Sequence, residues 1–295
     1  MTNSKGIVIF AYNSTFDYVK IANVCAALTF RVSERFNYDP KNFKSRILPV
    51  TLITDTFGAL QADHTVIDNI IIHTSDKDNN RIVRGTHDST VQTINWKNLT
   101  RADAYELSPY DQTLLLDCDY LMFNDNLAEL FWTDVEFSCH KDVYDVTGKN
   151  SFKSHERLSQ YSIPMLWATA VYFRKCEFSK SVFEMWKLVQ NNYHYYAKVY
   201  GFKTTPFRND FALSIAYHAL SGYGLDNLIP YKLMTLTSMT DVVDFRLNGE
   251  LLYQYKNNKQ QLCTGKMQGT DVHVMNKEIF TDEICEALRS YATAR

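Results

Sequence analysis

The chain has 295 residues, with 31 Lys and Arg against 33 Asp and Glu, a formal net charge of −2 at neutral pH. That balance excludes a global electrostatic pull toward nucleic acid or an anionic membrane, although a local basic patch stays open. A 45% hydrophobic content is ordinary for a globular enzyme, and the length suits one large α/β domain or two small ones. The six cysteines, at 25, 118, 139, 176, 263 and 285, are scattered without a CxxC pair, which suggests reduced thiols in a cytoplasmic compartment. The opening MTNSKGIVIFAYNS lacks the length of a signal segment, and no apolar run approaches the ~20 residues of a membrane span.

Gly6 to Tyr12 (GIVIFAY) reads as a strand, and the polar Asn13–Ser14 turn after it can cap a mostly buried helix running from Phe16 to about Phe36. Val50 to Thr54 and Asn69 to His73 are two further strands. Strands alternating with helices predict a largely parallel sheet, whose ligands gather at the carboxyl ends of the strands. Tyr12, Asn13, Asp55, Thr74 and Asp117 fall on that rim. Ser75 to Thr90 is polar and reads as a surface excursion, and Trp96 to Leu107 reads as a helix.

Thr113 to Leu116 is a short continuous apolar run, best read as a fully buried strand, and it ends in acid at Asp117 and Asp119. Side chains two apart on a strand point the same way, so two carboxylates converge at its exit. Such a pair makes sense chiefly around a divalent cation. Oxygen ligands without a thiolate or imidazole cluster suggest Mg²⁺ or Mn²⁺. The alternative is that both simply cap the next element, a turn at Asn124 to Asn126 followed by the amphipathic Leu127, Leu130 and Phe131.

Val135 to His140 reads as a strand, and Lys141 to Tyr161 as a long polar lid or acceptor loop. Leu166 to Arg174 is a strand with small residues, Ala168, Thr169 and Ala170, at its start. Phe178 to Tyr200 is a long amphipathic helix, and Arg208, Asn209 and Asp210 open another. A carboxylate at a helix start is favoured by the helix dipole and can be a cap only. Trp186 to Arg208 interleaves aromatics with Lys187, Lys198, Lys203 and Arg208, a composition that suits bases and phosphates or a solvated helix face. Asn227 to Met234 is a further strand, and His273 stands in the strand-like Asp-Val-His-Val-Met run near the end.

The run LLLDCDYLMFNDNLAELF, residues 114–131, resembles the Asp-x-Asp region of GT-A glycosyltransferases, similar to the retaining family 8 type and to phage-encoded members. The resemblance implies a single GT-A α/β domain with a mixed, mainly parallel sheet. Its nucleotide-binding half would lie at about 1–132 and its acceptor half at about 133–295. It assigns Asp117, Asp119 and His273 to Mn²⁺ or Mg²⁺, Asp117 also to the nucleotide, Tyr12 and Asn13 to the base, Lys277 to the diphosphate, and Arg101 and Asp210 to the transferred sugar. The family's Gly and Pro-Trp neighbours of the His are absent here. The implied reaction moves a sugar from a UDP-linked donor to a hydroxyl acceptor. Hydroxymethylated cytosine in DNA is the leading specific acceptor, beside a polysaccharide or a protein. A nucleotidyltransferase is the competing class, but AYNSTFDY lacks the Gly-rich loop that would hold a triphosphate. A catalytically silent binding protein of the same fold is the third.

Overall fold

The computed structural model describes residues 4–36, 48–74, 79–84, 91–203 and 206–294. The chain opens with β1 (Lys5–Phe10), α1 (Tyr18–Phe36), β2 (Val50–Thr54), the short α2 (Thr56–Ala59) and β3 (Asn69–Ile72). Asp17 Oδ1 accepts the Lys20 amide at 2.9 Å and so caps α1, while Asp55 Oδ1 accepts from Gly58 at 2.8 Å and caps α2. Gly58 is required by close approach, because a Cβ there would stand 2.0 Å from Thr54 Oγ1.

A hairpin follows, β4 (Asn79–Arg84) with β5 (Val91–Trp96), and then only a 3₁₀ turn at Arg101–Asp103 and α3 (Ala104–Leu107). Part of the expected surface excursion is a paired strand, its other residues, 75–78 and 85–90, lying outside the described ones. Trp96 ends that hairpin instead of starting a helix, so the helical stretch shrinks to residues 101–107. Strand pairing satisfies the backbone groups through residue 96, which leaves a helix only the seven residues from Arg101 to Leu107 before Pro109.

The chain continues through β6 (Gln112–Asp117), β7 (Tyr120–Leu121), β8 (Phe137–His140), β9 (Val143–Asp145) and β10 (Trp167–Arg174). It then passes through α4 (Glu177–Asn191), α5 (Tyr193–Tyr200), α6 (Asn209–Leu220) and β11 (Leu233–Leu236). The expected long helix from Phe178 is therefore two helices, broken at Asn192, whose φ of −116° and ψ of 31° lie off the helical values. The polar stretch at 141–161 is not structureless, since it contains β9 and a 3₁₀ turn at Lys153–His155. The strand expected at Asn227 to Met234 starts only at Leu233, after Pro230. The chain ends with β12 (Thr240–Phe245), β13 (Glu250–Lys256), β14 (Leu262–Gln268), β15 (Val272–Val274) and α7 (Asp282–Thr293).

The central sheet has six strands in the order β3-β2-β1-β6-β10-β8. Its first four run parallel, and β10 inserts antiparallel between β6 and β8. The parallel strands are those that the strand–helix alternation predicts, and the antiparallel β10 makes the sheet mixed, as the resemblance implies. β1, β2, β6 and β10 are buried nearly end to end, so their side chains form the core together with α1, α4 and α6. A second sheet, β7-β15-β11-β9, abuts the end of β6 and binds the C-terminal segment back to the middle of the chain. The antiparallel β12-β13-β14 sheet was not foreseen in the sequence. Among the described residues no helix is long and apolar enough to cross a membrane.

Candidate metal centre

The β1–β6 register pairs Phe10 with Asp117, so the Tyr12–Asn13 turn leaves the sheet beside the acidic exit of β6. Asp117 closes the strand, and Asp119 follows in the turn before β7. β7 pairs antiparallel with β15, setting His273 opposite Tyr120, and the Val274 amide donates to the Asp119 carbonyl at 2.9 Å. Two segments more than 150 residues apart are thereby clamped together. One ligand atom from each of Asp117, Asp119 and His273 then lies within 4.8 Å of the others.

Cations surround this cluster. The Arg101 guanidinium, 5% exposed, stands 2.8 Å from Asp117 Oδ1, and it also donates to the Ala168 carbonyl from Nη2 at 2.6 Å and from Nε at 3.1 Å. Lys277 Nζ is bonded to Asp119 Oδ2 and donates to the Val274 carbonyl at 2.7 Å. His273 Nε2 is 3.4 Å from the same Asp119 oxygen. Burial pushes the Asp117 carboxyl up from its ordinary value, against the pull of Arg101 and with a further push from Asp119. Burial would do the same to Asp119, but Lys277 and His273 outweigh it and hold that carboxyl well below the usual range. The two acids are thus separated in character by the cations each one touches.

Asp210, near the start of α6, accepts the Ala168 amide at 3.0 Å on Oδ1 and pairs through Oδ2 with Arg208 at 3.0 Å. Ala168 therefore links the two: its N–H is held by Asp210 and its carbonyl by Arg101. The structure brings Asp117, Asp119, His273, Lys277 and Arg101 into one cluster and joins Asp210 to it through β10. Arg101 is buried, with its charge turned onto Asp117. Tyr12 and Asn13 stand at the rim with their polar atoms engaged: Thr100 Oγ1 donates to Tyr12 Oη at 3.2 Å, and Asn13 Oδ1 accepts from Val19 at 2.9 Å. Burial pushes the Tyr12 phenol up to about 12, so it stays protonated.

Asp271 escaped the sequence reading. It accepts the amides of Phe123 at 2.6 Å and Asn124 at 2.9 Å, and the Tyr120 hydroxyl at 3.2 Å, fixing the loop after Asp119 to the strand that carries His273. Burial pushes its carboxyl up to about 7 against those donors. The signal was its place two residues before His273 in the strand-like Asp-Val-His-Val-Met run, where alternate side chains point the same way.

Two carboxylates and an imidazole form a donor set that fits a divalent cation of the Mg²⁺ or Mn²⁺ kind. The buried His273 Nδ1 has no hydrogen-bond partner among the described residues, which leaves Nε2 toward Asp119 as the ring's one engaged nitrogen.

No family model and no curated protein matches the chain. Among solved structures it is similar to the apo form of the glycosyltransferase GlyE of Streptococcus pneumoniae TIGR4, at 9% identity and a TM-score of 0.41, covering 74% of this chain and 44% of that one. It is also similar to the galactosyltransferase LgtC in complex with donor and acceptor sugar analogues, at 13% identity and a TM-score of 0.39, covering 70% and 69%. Mouse xyloside xylosyltransferase 1 in its apo form gives 12% identity and a TM-score of 0.42, covering 73% and 82%. The chain spans less than half the length of GlyE.

Proposed function

We propose that this chain is a metal-dependent glycosyltransferase of the GT-A type, moving a sugar from a nucleoside diphosphate sugar, UDP-linked, to a hydroxyl acceptor with retention at the anomeric carbon. The observation that carries the reading is the convergence of Asp117, Asp119 and His273 at the carboxyl end of a buried parallel strand, flanked by the buried Arg101 and the half-buried Lys277. Open α/β sheets bind ligands at that edge.

Asp117, Asp119 and His273 would hold Mn²⁺ or Mg²⁺, which when bound supplies positive charge against the leaving diphosphate. Arg101 fixes the Asp117 carboxylate in place and adds a positive charge on the sugar side. Lys277 is assigned to the diphosphate, and its ammonium keeps Asp119 ionised and ready to ligate. Asp210, oriented by Arg208 and the Ala168 amide, is assigned to the hydroxyls of the transferred sugar. Tyr12 and Asn13, at the end of β1, are assigned to the base side. For the acceptor, a hydroxyl on DNA, as in hydroxymethylated cytosine, ranks ahead of a polysaccharide or a protein, supported by the exposed Tyr195 and Lys198 of α5.

The test is release of nucleoside diphosphate from a panel of nucleotide sugars with Mn²⁺, wild type beside Asp119→Asn. The neutral amide keeps the shape but loses the charge, and turnover from the preferred donor should fall by two orders of magnitude or more, since the cation's charge is worth several kcal/mol. Equal turnover in both, or in wild type with and without metal, would rule the assignment out.

A further inference from the structure

Away from the metal centre a groove of about 510 Å³ runs between the 157–164 segment and the C-terminal end of α5. It is a built feature. Arg157 and Pro164 form an antiparallel bridge, Leu158 donates to the Ile163 carbonyl at 3.1 Å, and Arg157 Nη1 donates to the Ser162 carbonyl at 2.6 Å. Ser159 Oγ donates to the Tyr200 carbonyl at 2.7 Å and locks the turn onto α5. α5 ends at Gly201 in the left-handed region, φ +71°, which a side chain would strain.

The groove's chemistry is lopsided. Arg157 and Lys198 line it, no carboxylate does, and neither cation has an ion-pair partner among the described residues. Tyr161 lines it with 91% of its surface exposed, and Tyr200 lies opposite. Two cations without carboxylate partners beside an open aromatic face suit a phosphate attached to a ring.

Its position connects it to the metal centre. From Pro164 the chain runs along α6: the Pro164 carbonyl is 3.0 Å from His218 Nε2, Leu166 donates to Ser214 Oγ at 2.7 Å, and Ala168 donates to Asp210 at 3.0 Å. Asp210 to His218 is eight helical residues, about 12 Å of rise. The groove therefore opens about 12 Å from Asp210, on the segment that leads into β10, where the Ala168 carbonyl accepts from Arg101.

We propose that this groove is an anchoring subsite for a phosphate-bearing sugar residue of an extended acceptor. The phosphate pairs with Arg157 and Lys198, the ring stacks on Tyr161, and the reacting hydroxyl lies further along the chain, at Asp210. The proposal rests on the glycosyltransferase reading for the acceptor role. The phosphate-bearing residue could come from a nucleotide or from a phosphorylated glycan, and the probes separate the two.

Isothermal titration calorimetry of the full chain with thymidine 5′-monophosphate, glucose 6-phosphate and glucose tests it, with Lys198→Glu and Tyr161→Ala as variants. Both changes are at exposed side chains, so the fold is retained. A phosphorylated probe should bind, weaken as salt rises, and lose roughly tenfold or more in affinity in Lys198→Glu, as expected for a reversed charge at a direct phosphate contact. Tighter binding of the nucleotide assigns the groove to a nucleotide chain, and tighter binding of the sugar phosphate to a phosphorylated glycan. Affinity unchanged in Lys198→Glu, or glucose binding as tightly as its phosphate, overturns the subsite. Donor hydrolysis by the wild-type chain is read separately. Its absence takes the acceptor role down together with the functional reading, whereas a groove that fails beside intact hydrolysis loses the subsite alone.

Discussion

The six-stranded sheet and the β12-β13-β14 sheet solve the same pairing problem with opposite burial. β2 is buried at every position and β6 at all but its last, whereas β14 alternates exposed and half-buried from Leu262 to Gln268. A strand covered on both faces is mostly apolar and carries no charge along its length, so its charges are expelled to its ends. Asp117 is such an expelled charge, which is why the acid stands at the rim where a ligand can meet it. In the antiparallel sheet every Asp, Glu and Lys stays half-buried or exposed, and the site takes nothing from it.

Removing volume should separate the two sheets most. Leu115, fully buried in β6, loses its side chain in Leu115→Ala at a cost of about 2–5 kcal/mol in urea unfolding, because rigid neighbours on both faces cannot close the cavity. A loss below about 1 kcal/mol would mean that the central sheet is no better packed than a surface strand.

Acid should act on the central sheet next. His140 ends β8 fully buried, with Nδ1 donating to the Tyr231 carbonyl at 3.1 Å, and burial pushes its pKa down to about 4. The folded form keeps the ring neutral while the unfolded chain takes up a proton near pH 6.5. Its contribution is therefore whole above pH 6.5 and is lost as pH falls toward 4, by up to about 3 kcal/mol. Comparing the pH dependence of urea midpoints for wild type and His140→Asn isolates this group from Asp271 and the other acids. Parallel curves between pH 7 and 4.5 would remove His140 as the cause.

The smallest effect belongs to the outer sheet. Leu262 is 64% exposed at the start of β14, so Leu262→Ser should move stability by no more than about 0.5 kcal/mol. A larger loss would show that this strand is covered in solution, and the contrast between the sheets would narrow.

The parts of the site legible in the sequence were those written in local pattern. The apolar run ending at Asp117 showed a buried strand with an acidic exit, and His273 and Lys277, which the structure sets beside Asp119, were named only by the resemblance. Local pattern failed where pairing competes with propensity. Trp96 joined a hairpin because the preceding strand, β4, was available to pair with it, and Asn192 divided a helix that the amphipathic spacing ran straight through. The alternating residues of β12 to β14 went unread because short alternating runs interrupted by Gly and Asn carry a weak signal.

By itself the sequence determined the class of the fold and the end of the strand at which chemistry would gather, because burial on both faces demands apolar residues and leaves charge only at strand ends. Only the tertiary structure decided which cation meets which acid. Arg101 is bound to Asp117 and Lys277 to Asp119 through the β10 carbonyl at Ala168 and the β7–β15 pairing, contacts between segments 67 and 158 residues apart. Pairings of that range follow from how strands stack, and no spacing along the chain encodes them.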